Sequence, residues 1–300
     1  MTTTLKEVEK KICFCMSRQC EGESVDVPFT GVGDAGDGRL LVLVAEGFKE
    51  TAQRWLEADD MAHLIEQIEI EEATFGLIPG LPREGEEGDA SKVAASAAIR
   101  RRGGHVKGGS IGCFLSGADP NGYLLTSGHT IMNTGQQLDI GEVLELVDDR
   151  SSLPKGEPFV VDAALVGLAE GVQGGPGSRC DPMAMPLSGM LATTKKGRTL
   201  SKCGNATLFK KGKVEATGAC ILCDVGGGKT VVFEKQIVIK KSGFADKGDS
   251  GSLVIDSNRN SVGILMAQDF GTPPKLFAVN PIAEVLAMLD QGRKLEIRQL

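Results

Sequence analysis

The run Lys247-Gly248-Asp249-Ser250-Gly251-Ser252 puts a serine on a glycine-flanked turn, with an acid just before it and the apolar run Leu253-Val254-Ile255 just after. Glycine permits positive φ and close approach of other backbone. Such a turn can aim the amides of Gly248 and Ser250 at one point, and two converging donors are what a developing oxyanion requires. A serine hydroxyl is a weak nucleophile until a base takes its proton, so the turn demands a histidine and a third group to orient it. The chain has three histidines. His63 falls in a helix-patterned, charged stretch and His105 among glycines, both of which read as surface positions. His129 instead follows the strand-like Tyr123-Leu124-Leu125-Thr126 and two small residues, which leave room for a neighbouring side chain. Asp162 lies between Phe159-Val160-Val161 and Ala163-Ala164-Leu165-Val166, so it is expected to be at least partly buried. A buried acid needs a partner, and a histidine N–H held in one tautomer is a suitable one. Asp139, Asp148 and Asp149 are its rivals in the same interval.

Elements that must position these groups follow from the texture of the chain. From Ser110 onward, short apolar runs alternate with Gly, Asp, Asn and Pro, at residues 111–115, 122–126, 143–147, 158–168, 206–209, 213–222, 230–239, 252–255, 262–267 and 275–279. That pattern predicts an all-β barrel or sandwich rather than parallel α/β, because no long helical stretch separates the runs. Residues 281–290 predict a closing helix, with Pro281 at its start. Upstream, Leu5 to Ile12 reads as an amphipathic helix, Arg39 to Ala45 as a buried strand, and residues 49–73 as helix. Pro79 to Asp89 is the clearest break in composition, and the following segment carries Arg100-Arg101-Arg102, read as a solvated face. The organisation expected is a small N-terminal α/β region over 1–89, acting in regulation or docking, a linker over 90–109, and a β domain over 110–300.

Composition narrows the classes of function. A net charge of −7 disfavours general binding to nucleic acid or anionic membrane, and 4% aromatics disfavour a base-stacking platform. No window approaches the roughly 18 apolar residues of a membrane helix, and Met1 to Glu7 lacks the build of a secretory signal. The expectation is therefore a cytoplasmic protein whose eight cysteines are reduced. Cys13, Cys15 and Cys20 lack a fourth ligand for zinc, and Cys220-x-x-Cys223 reads as a loop. No metal and no cofactor is called for.

In order and context, His129 after its strand, Asp162 heading Asp-x-Ala-Leu, and Gly-Asp-Ser-Gly-Ser around Ser250 resemble the trypsin/chymotrypsin-like serine peptidases. The resemblance is nearest to the bacterial and plant narrow-leaf trypsin-like branch, at Ile111-Gly112-Cys113, Lys202-Cys203-Gly204-Asn205-Ala206-Thr207 and Asn280-Pro281-Ile282. It covers residues 108–290 well and 1–107 weakly. It implies a double β-barrel with a C-terminal helix, and a serine endopeptidase with His129, Asp162 and Ser250 catalytic and the Gly248 and Ser250 amides as oxyanion hole. Asp249 would be structural; secreted members pair this acid with a new N-terminal amine, a part that Lys247 or another local donor would take here. Basic-specific members carry an acid six residues before the nucleophile, where this chain has Phe244. Phe244 with Met266, Ala267 and Gln268 of Leu265-Met266-Ala267-Gln268 would then bind a substrate with a small or apolar residue before the scissile bond, unless Asp246 or Asp269 reaches in. The implied partners are a protein or peptide substrate, homo-oligomeric copies, or a regulator bound through 1–107. The alternative is a latent or non-catalytic scaffold that keeps the same barrel.

Overall fold

The computed structural model describes residues 3–58, 61–78, 81–83, 92–94, 97–99, 106–134, 137–147, 161–175, 180 and 187–298. Among these, no helix is long and apolar enough to cross a membrane.

Two bodies of antiparallel strands carry the molecule. The first is a six-stranded sheet in which the neighbours run Gln137–Leu138, Gly141–Val147, Ala163–Leu168, Tyr123–Thr126, Cys113–Ser116 and Glu296–Ile297. Its interior holds Ile111, Phe114, Leu124, Ile131, Ala164 and Val166. In the second, the order runs Thr199–Gly204, Leu253–Ile255, Asn260–Asp269, Leu276–Pro281, Lys229–Lys240 and Leu208–Gly226. Thr199–Gly204 pairs with Leu208–Gly226 as well, which closes the ring. Closure removes the sheet edges and gives the mainly β, trypsin-like double barrel expected. The helix Ile282–Asp290 then buries Ile282, Val285 and Leu289 against strands of both barrels.

The N-terminal segment is hydrogen-bonded into the second barrel's sheet. Strand Phe29–Asp34 pairs with Leu208–Gly226, Leu40–Val44 follows it, and Ile68–Glu72 adds in parallel at the far side. Helix Leu5–Cys20 covers this extension with Val8, Ile12 and Met16, spaced one turn apart and fully buried. Phe29 and Trp55 meet edge to face with ring centroids 5.1 Å apart.

Several elements depart from expectation. Residues 49–73 divide into helix Lys49–Ala58, a 3-10 turn Ala62–Gln67 and strand Ile68–Glu72. The alternation Ile68-Glu69-Ile70-Glu71 has a period of two, which suits a half-covered strand beside Leu40–Val44. Thr199–Gly204 escaped the reading because Ser201 and Lys202 are polar yet buried. Cys180 and Cys203, expected to be reduced, form a disulfide with Cα atoms 6.2 Å apart, a spacing within the usual range. Fold closure brings the two cysteines together across a separation of 23 residues, which the sequence alone does not reveal. The stretch 84–91, the run Arg100-Arg101-Arg102, His105, Asp148 and Asp149 lie outside the described residues.

Because the N-terminal strands share the barrel's sheet, the two should unfold together. Phe29→Ala is expected to cost about 3–5 kcal/mol and to move a single cooperative urea transition to lower denaturant. Two separate transitions would contradict this.

Candidate active site

His129 sits on the short helix Gly128–Thr134 that follows strand Tyr123–Thr126, and Asp162 precedes strand Ala163–Leu168, which pairs with that same strand. Neighbouring strands in one barrel thus bring His129 and Asp162 together. His129 Nδ1 lies 2.5 Å from Asp162 Oδ2, and the His129 backbone N–H donates to Asp162 Oδ1 at 2.9 Å. Both oxygens of the carboxylate therefore engage one residue, which fixes ring and backbone together. Asn280 holds Asp162 in turn: its side-chain amide donates to the Asp162 carbonyl at 3.0 Å and accepts from the Asp162 amide at 3.2 Å. Asp139, the described rival, lies in the turn between Gln137–Leu138 and Gly141–Val147.

Ser250 comes from the second barrel. Its Oγ is 2.6 Å from His129 Nε2 and 2.9 Å from Ser127 Oγ. The three residues that the sequence picked out are thus within hydrogen-bonding reach across the seam of the barrels. All are covered: Asp162 and Ser250 are 0% exposed and His129 3%.

The turn that carries Ser250 has Gly248 at φ +92° and Gly251 at φ +86°, values that favour glycine at both places. The Gly248 carbonyl accepts from Ser110 Oγ at 2.9 Å, and the Ser250 carbonyl accepts from the Ser110 amide at 2.5 Å. Neither the Gly248 nor the Ser250 amide donates to another described residue. Two backbone donors beside the hydroxyl, unspent among the described residues, are the groups an oxyanion would engage.

Asp249 fills a structural place. Its carboxylate accepts from the amides of Ala206, Thr207 and Asp246, from Thr207 Oγ1 at 2.6 Å, and from Lys202 Nζ at 2.6 Å. The donor is thus Lys202, on the strand that pairs with Leu253–Ile255, while Lys247 is exposed. Lys202 and Asp249 are both 0% exposed in their side chains. Burial pulls the Lys202 ammonium below its ordinary value, and Asp249 opposes that pull. Sequence reading marked Lys202 only as part of a matching run; its role depends on a contact across 47 residues.

The four residues expected to bind substrate all lie against one segment of the chain, Phe75–Ile78. Phe244 is fully buried and stacks at a tilt on Phe277, with centroids 5.5 Å apart, in a cluster with Ala245 and Leu265. Met266, Ala267 and Gln268 run along strand Asn260–Asp269. Asp269 spends its carboxylate on the amides of Gly271, Lys275 and Leu276, and Asp246 is exposed, so neither supplies the pocket with a buried counter-charge. Strand Asn260–Asp269 is paired here by the chain itself. Strand Phe75–Leu77 pairs antiparallel with it, the Ile78 amide donates to the Met266 carbonyl at 3.0 Å, and the Ile78 carbonyl sits 3.0 Å from His129 Nε2. Sequence reading assigned Ile78 no place in the site; an apolar residue before Pro79 gives no local signal of one.

Comparison with solved structures places the architecture. The chain is similar to a chymotrypsin from Cellulomonas bogoriensis, with TM-score 0.51 and 19% identity over 70% of this chain and 100% of that one. It is likewise similar to protease A of Thermobifida fusca, with TM-score 0.52 and 15% identity over the same shares. A glutamic acid specific serine protease matches with TM-score 0.50 and 17% identity over 69% of this chain and 100% of that one. The chain therefore has the trypsin/chymotrypsin-like fold. No protein-family model matches the sequence, and no curated protein does.

Removing Lys202 should strand a buried carboxylate. Lys202→Met is expected to cost about 3–5 kcal/mol of stability, and Lys202→Met with Asp249→Asn less than the sum of the two single changes. Strict additivity in denaturant titrations would mean that the two groups are not coupled.

Proposed function

We propose that the chain is a serine endopeptidase that hydrolyses peptide bonds through an acyl-enzyme. Ser250 Oγ attacks the substrate carbonyl while His129 Nε2 takes its proton, and the amides of Gly248 and Ser250 receive the negative oxygen. The protonated His129 then gives that proton to the leaving amine, and water repeats the sequence to release the acid and regenerate Ser250. Asp162 holds the imidazole in the tautomer that leaves Nε2 free to accept, and stabilises the imidazolium as it forms. Apolar lining at Phe244 favours a small or apolar residue before the scissile bond, and no metal or organic cofactor enters a step.

The observation that carries this reading is the pair of short contacts, 2.5 Å at Nδ1 and 2.6 Å at Nε2, that string Asp162, His129 and Ser250 together. One fact favours a latent form of the same machinery: Ser250 is fully covered.

Hydrolysis of an unfolded protein substrate tests the roles. Ser250→Ala should abolish turnover with little change in thermal stability, and Asp162→Asn should lower it by about 10⁴ through the wrong imidazole tautomer. Near-normal turnover in Asp162→Asn would assign the acid elsewhere, and turnover surviving in Ser250→Ala would end the proposal.

A further inference from the structure

The segment in the groove has the contacts of a bound peptide. Leu77 lies opposite Ala267, Gly76 opposite Gln268 and Phe75 opposite Asp269, in antiparallel register. Strand addition of this kind binds a peptide through main-chain hydrogen bonds and selects it through a side-chain pocket. Both features are present. The main-chain bond from Ile78 to Met266 is 3.0 Å, and the Ile78 side chain is 0% exposed in the cluster formed with Phe244, Ala245 and Leu265. On its other side, the same strand pairs in parallel with Cys223 and Asp224 of Leu208–Gly226, which ties the occupant to the barrel.

The Ile78 carbonyl also bears on the chemistry. Carbonyl oxygen only accepts, so at 3.0 Å it engages His129 Nε2 when that nitrogen carries a proton. As a base, the same nitrogen must offer a lone pair to the Ser250 hydroxyl, 2.6 Å away. One ring nitrogen cannot donate and accept in its plane at once. The resident carbonyl therefore competes with the base function, while the segment fills the place of a substrate.

We propose that Phe75–Ile78 is a built-in occupant of the substrate groove that holds the site closed, and that Ile78 marks the pocket as one for a branched aliphatic side chain. This rests on the peptidase reading and adds to it the substrate class and the restraint. A peptide substrate enters only when the segment leaves, so the apparent activity is scaled by the open fraction.

The test compares wild type, Ile78→Ala and Ile78→Asp on anilides of the form acetyl-Phe-Gly-Leu-X, with X as Ile, Val, Leu, Phe, Lys or Glu. Both variants empty or spoil the pocket occupant without touching Ser250, His129 or Asp162, and circular dichroism establishes that each is folded. Should the aspartate variant fail to fold, the alanine variant carries the comparison. The expected result is a kcat/KM higher than wild type by about tenfold or more in the folded variants, with Ile, Val and Leu preferred to Phe, Lys and Glu. Folded variants no faster than wild type would overturn the occupant and leave the peptidase standing. A preference for Lys, Glu or Phe would overturn the pocket assignment. Folded proteins that turn over none of the anilides would remove the peptidase reading itself, and this inference with it.

Discussion

A single ring nitrogen, His129 Nε2, is where the structure's demands meet. The Asp162 carboxylate fixes the far side of the ring through Nδ1 and the backbone amide together. On the other side lies one position for a proton or a lone pair, and among the described residues the Ser250 hydroxyl and the Ile78 carbonyl compete for it. Both barrels and the N-terminal segment must be in place for that competition to exist. The first barrel supplies His129 and Asp162, the second supplies Ser250, and Ile78, just after strand Phe75–Leu77, supplies the carbonyl.

Burial sets the cost of this arrangement. A carboxylate at 0% exposure is tolerable only when its lone pairs are met, and Asp162 and Asp249 meet that requirement in different ways. Asp162 is met by His129, with its own backbone clamped by Asn280. Asp249 is met by three amides, a hydroxyl and the Lys202 ammonium. The second cluster has a mechanical result: it anchors the residue between Gly248 and Ser250, so the two unspent amides are set by a buried ion pair. A lysine within the barrel does this with no new chain end required.

What was legible in the sequence follows from how locally each signal is written. Gly248-Asp249-Ser250-Gly251 announces a tight turn, and the short apolar runs after Ser110 announce a β-barrel, because period and turn chemistry are local properties. His129 stood out among three histidines through its small neighbours, and Asp162 through its apolar flanks. Lys202 and Ile78 were less visible for the opposite reason. Each acquires its role only by contact with residues far along the chain, 47 positions away for Lys202 with Asp249 and 51 for Ile78 with His129. Ile68–Glu72 was misread as helix because a preceding helical pattern runs straight into it, and only the parallel pairing with Leu40–Val44 decides the matter.

The central claim is that Ser250 is a nucleophile activated by His129, and a fluorophosphonate probe reads that property directly. Intact-mass and peptide analysis after prolonged exposure should find one phosphonyl adduct, on the peptide that contains Ser250, and none in His129→Ala. An adduct on another residue, or none on folded protein with the Ile78 side chain removed, would contradict the account.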